Sequence, residues 1–247
     1  MTHKYIFIFQ TSMRIKVLGP YNSGTNLMIN ILHNNTSIRE KETTTPIQVF
    51  SNNHVDLWKH CNNEATIRDY LDENDDVCVI FMYKTFYNLI HSFKKQPHNI
   101  GFKNIYKDRI HFRGKLMKNP KHIRQKYDSF LDFYYEYYRT FKSILEDSKY
   151  NGRVAFVDYG KIIDKITCFE YIQSKLSEFH GFPQLVSQNH VLNKLSEPSK
   201  KHHTTVANSD EALNLYKPNN KKIYRELMKE NNKLCRNFDT NISRFFE

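Results

Sequence analysis

Gly19-Pro20-Tyr21-Asn22-Ser23-Gly24-Thr25-Asn26 follows a short apolar run that begins at Arg14, and it precedes Leu27 to Leu32, where apolar residues recur at helical spacing. The order is strand, loop, helix. The two glycines of the loop stand five positions apart, the offset of a phosphate-binding loop that leads into a helix N-terminus. Glycine lets the backbone curl around an anion, and the exposed amides and the helix dipole attract it. A nucleotide triphosphatase loop would continue with Lys for the terminal phosphates and then Ser or Thr for magnesium. Here Thr25 and Asn26 stand in those places, so the loop suits a phosphate but lacks both devices of metal-dependent ATP hydrolysis. A glycine turn of this composition also serves as a plain turn, and only its place between strand and helix argues for more.

Outward from the loop, Val77 to Tyr83 (VCVIFMY) is apolar throughout, as expected of a central parallel strand covered on both faces. His54 to His60 reads as a further strand from its alternation, and Lys84 to Phe93 as the helix after Val77 to Tyr83. Residues 94 to 126 are dense in Lys, Arg and His and show no sustained period, which predicts a long surface connection. Phe130, Tyr134, Tyr137, Phe141 and Ile144 recur at three and four residues, predicting an amphipathic helix from about Tyr127 to Asp147 with its aromatic stripe in the core. Val154 to Val157 reads as a strand, and Cys168 to Phe179 and Lys222 to Leu234 as helices. No repeat or linker interrupts the chain, so residues 1–247 are expected to form one domain. Strands alternating with helices imply an α/β fold with a central, mostly parallel sheet, where ligands bind at the carboxyl ends of the strands.

Composition narrows the partners. The chain has 247 residues, 39% of them hydrophobic and 14% aromatic, too much core-forming material for a disordered chain. A net charge of +11 favours partners bearing phosphate, sulfate or carboxylate. No apolar stretch reaches the roughly 18 to 20 residues of a membrane helix, and Tyr5 to Phe9 is too short for a signal-peptide core, so a soluble, intracellular protein is expected. Cys61, Cys78, Cys168 and Cys235 are scattered without the paired spacing of zinc or redox sites, so neither metal nor disulfide is expected.

With these elements in order, the chain resembles the sulfotransferases, whose phosphosulfate loop commonly reads P-K-S-G-T-T and in a subset of related proteins N-S-G-T-N, as at Asn22-Ser23-Gly24-Thr25-Asn26. The resemblance covers roughly residues 14 to 165. It implies a three-layer P-loop nucleotide-binding fold and 3′-phosphoadenosine 5′-phosphosulfate as donor, with adenosine 3′,5′-bisphosphate as product and no metal. It also implies that the amides and hydroxyls of Ser23, Gly24, Thr25 and Asn26, beside Asn22, cradle the 5′-phosphate. Trp58-Lys59-His60 is similar to the family's Lys-His element, which implies His60 as general base. Lys84 and Ser92, eight positions apart after the strongest strand, match the pair that binds the 3′-phosphate, and Tyr159 matches a tyrosine near the adenine. Lys84 replaces the usual Arg and brings a point charge without the bidentate fork. Asn22 replaces the usual loop lysine. The C-terminal third has no clear match to the family's basic cover over the 3′-phosphate, and Lys200, Lys201, His202 and His203 are basic enough to substitute for it.

Sulfuryl transfer requires the acceptor hydroxyl to lose a proton as it attacks sulfur, and histidine, with an unperturbed pKa of about 6.5, suits that task. Lys59 and the loop donors at Ser23 and Thr25 would stabilise the bridging and sulfuryl oxygens. The chain has 12 His, so His60 is singled out by its order between the loop and Lys84, not by its type. The expected partners are the nucleotide donor and a hydroxyl-bearing acceptor, with a glycan as one candidate, nucleic acid disfavoured and no membrane span. His111, Arg113, His122 and Arg124 either keep a connection solvated or attract an anionic acceptor. Two rival readings are a kinase-like P-loop phosphotransferase, opposed by Thr25 and Asn26, and a non-catalytic basic module for polyanions.

Overall fold

A computed structural model describes residues 13–33, 35–36, 57–85, 88–89, 92–93, 110–116, 119–127, 130–181 and 184–197, all within one unit, Met1–Thr204. Among them are β1 (Arg14–Leu18), α1 (Thr25–Leu32), α2 (Glu64–Asp72), β2 (Val77–Tyr83), β3 (Ile110–Leu116), β4 (Asn119–Tyr127), α3 (Phe130–Leu145), β5 (Val154–Asp158), α4 (Tyr159–Ile162), α5 (Cys168–Leu176) and α6 (Gln188–Ser196), with a 3₁₀ turn at Ser148–Tyr150. The expected helix Lys222 to Leu234 and the basic residues Lys200 to His203 lie outside the described residues.

β1, β2 and β5 form a parallel sheet in the order β1-β2-β5. Register runs from Arg14 opposite Val77 to Leu18 opposite Phe81, and from Val79 opposite Val154 to Tyr83 opposite Asp158. Every residue of β2 is buried, which its unbroken apolar run demands of a central strand covered on both faces. The α/β expectation therefore holds for the described residues, with helices on both faces of the sheet.

Alternation along the strands divides the core in two. Ile15, Val17, Cys78, Ile80, Met82, Ala155 and Val157 pack with Leu27, Met28 and Ile31 of α1, Ile172 and Leu176 of α5 and Val191 of α6. On the other face Phe81 stacks on Phe141 of α3 at 4.4 Å, and Tyr138 of α3 packs edge-on to Tyr83 and Phe156. The aromatic stripe of α3 is buried at Phe133, Tyr134, Tyr137, Tyr138 and Phe141. Offset and edge-on ring pairs of this kind add about 0.5–1.5 kcal/mol each to the burial of their surface.

Local chemistry fixes the ends. Asn63 caps α2 by accepting the Thr66 amide at 2.9 Å, Asp158 caps α4 through Gly160 N at 2.7 Å, and Ser187 caps α6 through His190 N at 3.2 Å. Arg14 at the start of β1 grips Asp76, just before β2, through Nε and Nη2, both at 2.5 Å. Arg68 of α2 bonds Glu64 Oε1 at 2.9 Å and Asp147 Oδ2 at 2.5 Å, tying α2 to the end of α3.

Two expectations are corrected. The strand expected over His54 to His60 is absent from its described part: Leu57 and Trp58 are irregular and Lys59 and His60 form a turn. Its hydrogen bonds go elsewhere, because Tyr137 and Thr140 of α3 donate to the His60 and Asn62 carbonyls. Residues 94 to 126, read as a connection without regular structure, contain β3 and all of β4 but its last residue, an antiparallel hairpin. Ile110, Phe112, Gly114 and Leu116 do alternate with His111, Arg113 and Lys115, but the glycine and the density of charge hide the two-residue period.

Candidate functional site

The site is built where three adjacent parallel strands end. Gly19 follows β1, Lys84 follows β2 and Tyr159 follows β5, the carboxyl edge at which open parallel sheets hold ligands. Neighbouring strands in register bring residues more than a hundred positions apart within reach.

The loop turns on two residues with positive φ, Asn22 at 63° and Gly24 at 95°. Asparagine tolerates this left-handed region and glycine adopts it without penalty. Gly24 is the N-cap of α1, no side chain caps that helix and no acidic residue lies in its first turn. Gly19 is required by crowding, since a Cβ there would stand 2.5 Å from Ser23 Oγ and 2.8 Å from Met82 Cβ.

Each residue proposed from sequence has a definite place. Ser23 is fully buried, and both its amide, at 3.2 Å, and its hydroxyl, at 2.7 Å, donate to the Pro20 carbonyl. Its hydroxyl thus closes the loop upon itself and is directed at the protein, unlike the anion-cradling hydroxyl expected for it. Thr25 is buried and Asn26 is exposed at the start of α1. Asn26 Oδ1 accepts from Lys59 Nζ at 2.6 Å.

Lys84 is buried, and its ammonium donates to the Asn22 carbonyl at 3.1 Å and to Ser92 Oγ at 2.7 Å. It also lies 4.0 Å from the centre of the Tyr159 ring, within the range in which a cation is attracted to an aromatic face. Ser92 in turn donates to the Asn88 carbonyl at 2.9 Å, as helical serines do, and Lys84 N donates to Tyr138 Oη at 3.1 Å. Burial pushes the Tyr159 phenol up to about 12, so the ring stays neutral. Lys59 and Lys84 therefore bracket the loop with positive charge, one at Asn26 and one at Asn22.

His60 is buried, and its Nδ1 lies 2.7 Å from the Gly19 carbonyl. A carbonyl only accepts, so Nδ1 carries the proton and Nε2 of the neutral ring bears the lone pair. Tyr21 of the loop stacks on the imidazole at 4.1 Å with 27° between planes, and Trp58 meets it edge-on at 5.3 Å. Gly19 N donates to the Lys59 carbonyl at 2.9 Å, so the Lys59-His60 turn is fastened to the end of β1 although it is no strand. Burial pushes the neighbouring Cys61 thiol up to about 11, which leaves it an inert core group.

All ten residues proposed for the site thus meet along one edge: Asn22, Ser23, Gly24, Thr25 and Asn26 in the loop, Lys59 and His60 beside it, and Lys84, Ser92 and Tyr159 across it. Sequence reasoning missed Tyr21, which stacks on His60, and Tyr137, which holds the His60 carbonyl. Nothing local to the Lys59-His60 segment signals a tyrosine contributed by α3. Compared with protein-family models, curated proteins and solved structures, the chain matches none of them.

Proposed function

We propose that this chain is a P-loop sulfotransferase that moves a sulfuryl group from 3′-phosphoadenosine 5′-phosphosulfate to an acceptor hydroxyl. The observation that carries the reading is the Lys84 ammonium, held at once by the Asn22 carbonyl, Ser92 Oγ and the Tyr159 ring at the edge of the loop. A buried cation oriented by three partners beside an amide-rich helix N-terminus suits a ligand with two separated anionic groups.

The residues fit such a donor. The amides of Gly24, Thr25 and Asn26 take the 5′-phosphate, and Lys84, oriented by Ser92 Oγ, takes the 3′-phosphate. The donor supplies an activated sulfuryl group whose bond to the 5′-phosphate breaks as the acceptor oxygen bonds to sulfur, releasing adenosine 3′,5′-bisphosphate. His60 takes the acceptor proton on Nε2, since Nδ1 is committed to Gly19. Lys59, positioned by Asn26, faces the charge that grows on the departing phosphate. Thr25 and Asn26 stand where a phosphotransferase loop has its lysine and its magnesium-binding hydroxyl, which disfavours the kinase-like alternative.

The test is transfer of sulfur label from the donor to a panel of hydroxylated acceptors in EDTA. Label should move with wild-type protein and not with His60→Asn. Phosphate transfer from magnesium ATP, with no sulfuryl transfer to any acceptor and no donor hydrolysis, would overturn the reading.

A further inference from the structure

Pro20-Tyr21-Asn22-Ser23 closes as a turn, with Ser23 N donating to the Pro20 carbonyl at 3.2 Å and Asn22 at a φ of 63°. A positive φ at the third position of such a turn, with the second residue in the ordinary range, is the type II pattern, and asparagine tolerates it. Tyr21 holds the second position. Its backbone is pinned on both sides, because the Ser23 hydroxyl also donates to Pro20 at 2.7 Å and Lys84 Nζ donates to the Asn22 carbonyl at 3.1 Å.

The ring that this turn presents lies on His60. An imidazole held by one hydrogen bond can still swing about it, and Nε2 swings with the ring. His60 is held by a bond from Nδ1 to the Gly19 carbonyl at 2.7 Å, by Tyr21 on its face at 4.1 Å, and by Trp58 at its side at 5.3 Å and 87°. Bond, face and side contact together define the plane of the ring and so the direction of Nε2. Two of these three restraints, Gly19 and Tyr21, belong to the phosphate loop. Gly19 N returns a bond to the Lys59 carbonyl at 2.9 Å, so the loop and the Lys59-His60 turn are fastened through backbone and ring alike.

We propose that Tyr21 is a positioning residue, which transmits the conformation of the phosphate loop to Nε2 of His60. The inference rests on the reading of His60 as the base and requires no contact between Tyr21 and the donor. A general base acts only within about 2.6–3.2 Å of the proton it takes, and a misplacement of about 1 Å can cost about a hundredfold in rate. The ring that fixes the imidazole plane therefore bears on turnover without entering the reaction. Lys84 on the Asn22 carbonyl extends the packed series from the cation assigned to the 3′-phosphate, through Asn22 and Tyr21, to the base. A donor that engages Lys84 and the loop amides thus acts on His60 through groups already in contact.

Trp58 is the one tryptophan of the chain, and its ring meets both Tyr21 and His60, so its emission reads the cluster directly. The test compares wild type, Tyr21→Phe, which keeps the ring, and Tyr21→Leu, which removes it. Calorimetry with adenosine 3′,5′-bisphosphate in EDTA gives affinity, Trp58 emission gives the response of the cluster, and transfer of sulfur label gives turnover. Tyr21→Leu should bind the bisphosphate within about threefold of wild type, lose the change in Trp58 emission on binding, and turn over about tenfold or more slowly. Tyr21→Phe should restore both the emission change and the turnover. Wild-type turnover in Tyr21→Leu, an emission change that survives in it, a loss of affinity as large as the loss of turnover, or Tyr21→Phe as impaired as Tyr21→Leu would overturn this inference alone. No heat of binding in wild type would overturn the donor reading, and this inference with it.

Discussion

The ring of Tyr159 lies directly over Gly24: a Cβ at Gly24 would stand 2.3 Å from Tyr159 Cδ2. The residue after the last strand of the sheet thus closes on the loop after the first, and the same ring carries the Lys84 ammonium on its face. Loop geometry and cation placement are one packing problem.

Gly24→Ala meets two penalties, the strained φ of 95° and the collision with Tyr159. It should cost about 1–3 kcal/mol in urea unfolding and abolish binding of adenosine 3′,5′-bisphosphate. In a double-mutant cycle with Tyr159→Ala, the two losses should be less than additive, since removing the ring removes the collision. Strict additivity would show that the ring does not constrain the loop.

Lys84→Met should weaken adenosine 3′,5′-bisphosphate by about tenfold or more, the worth of a charge-assisted contact, and the 5′-monophosphate far less. Calorimetry on both ligands decides it. Equal weakening would assign Lys84 to holding the loop through Asn22 and not to a second phosphate.

His60→Asn keeps an amide donor near Nδ1 for the Gly19 carbonyl and removes the lone pair of Nε2. Donor affinity should persist while turnover falls by about a hundredfold or more, the usual contribution of a positioned base. His60→Ala should in addition lower stability, since the Gly19 carbonyl loses its partner. Turnover retained in His60→Asn would remove the base assignment.

The Ser143 hydroxyl and Arg68 hold the Glu64 carboxyl below its ordinary range, and Arg68 does the same for Asp147. A carboxylate depressed in the folded state contributes stability above its unfolded pKa of about 4.3, and that contribution is lost as pH falls through the folded value. The melting temperature should therefore drop as pH falls below about 4.3 and through the lowered folded value, and Glu64→Gln should flatten that drop by lowering the melting temperature in the neutral range, where the carboxylate's contribution is fully present. An unchanged acid limb in Glu64→Gln would assign it to other carboxylates.

The loop and the central strand were legible because each rests on local composition, two glycines before a helix and seven apolar residues in a row, whereas Lys84, Ser92 and Tyr159 were singled out by the resemblance. The Lys59-His60 segment was misread as a strand because what holds it, Tyr137 and Thr140, comes from α3. β3 was hidden by Gly114 and by charge at every second position. α2 carried a readable signal, Asn63 as cap before Ile67, Tyr70 and Leu71 at helical spacing. The tautomer of His60 depends on a carbonyl forty-one positions away, and no spacing rule reaches that far.

The central claim, that the loop holds a nucleotide phosphate without metal, is tested most directly by thermal protection in EDTA. Adenosine 3′,5′-bisphosphate at about a hundredfold over its Kd should stabilise the wild-type chain by about 2.7 kcal/mol, a rise of a few degrees in melting temperature. Magnesium should not increase that protection, and Gly24→Val should remove it. No protection in EDTA, with protection by magnesium ATP in its place, would contradict the account.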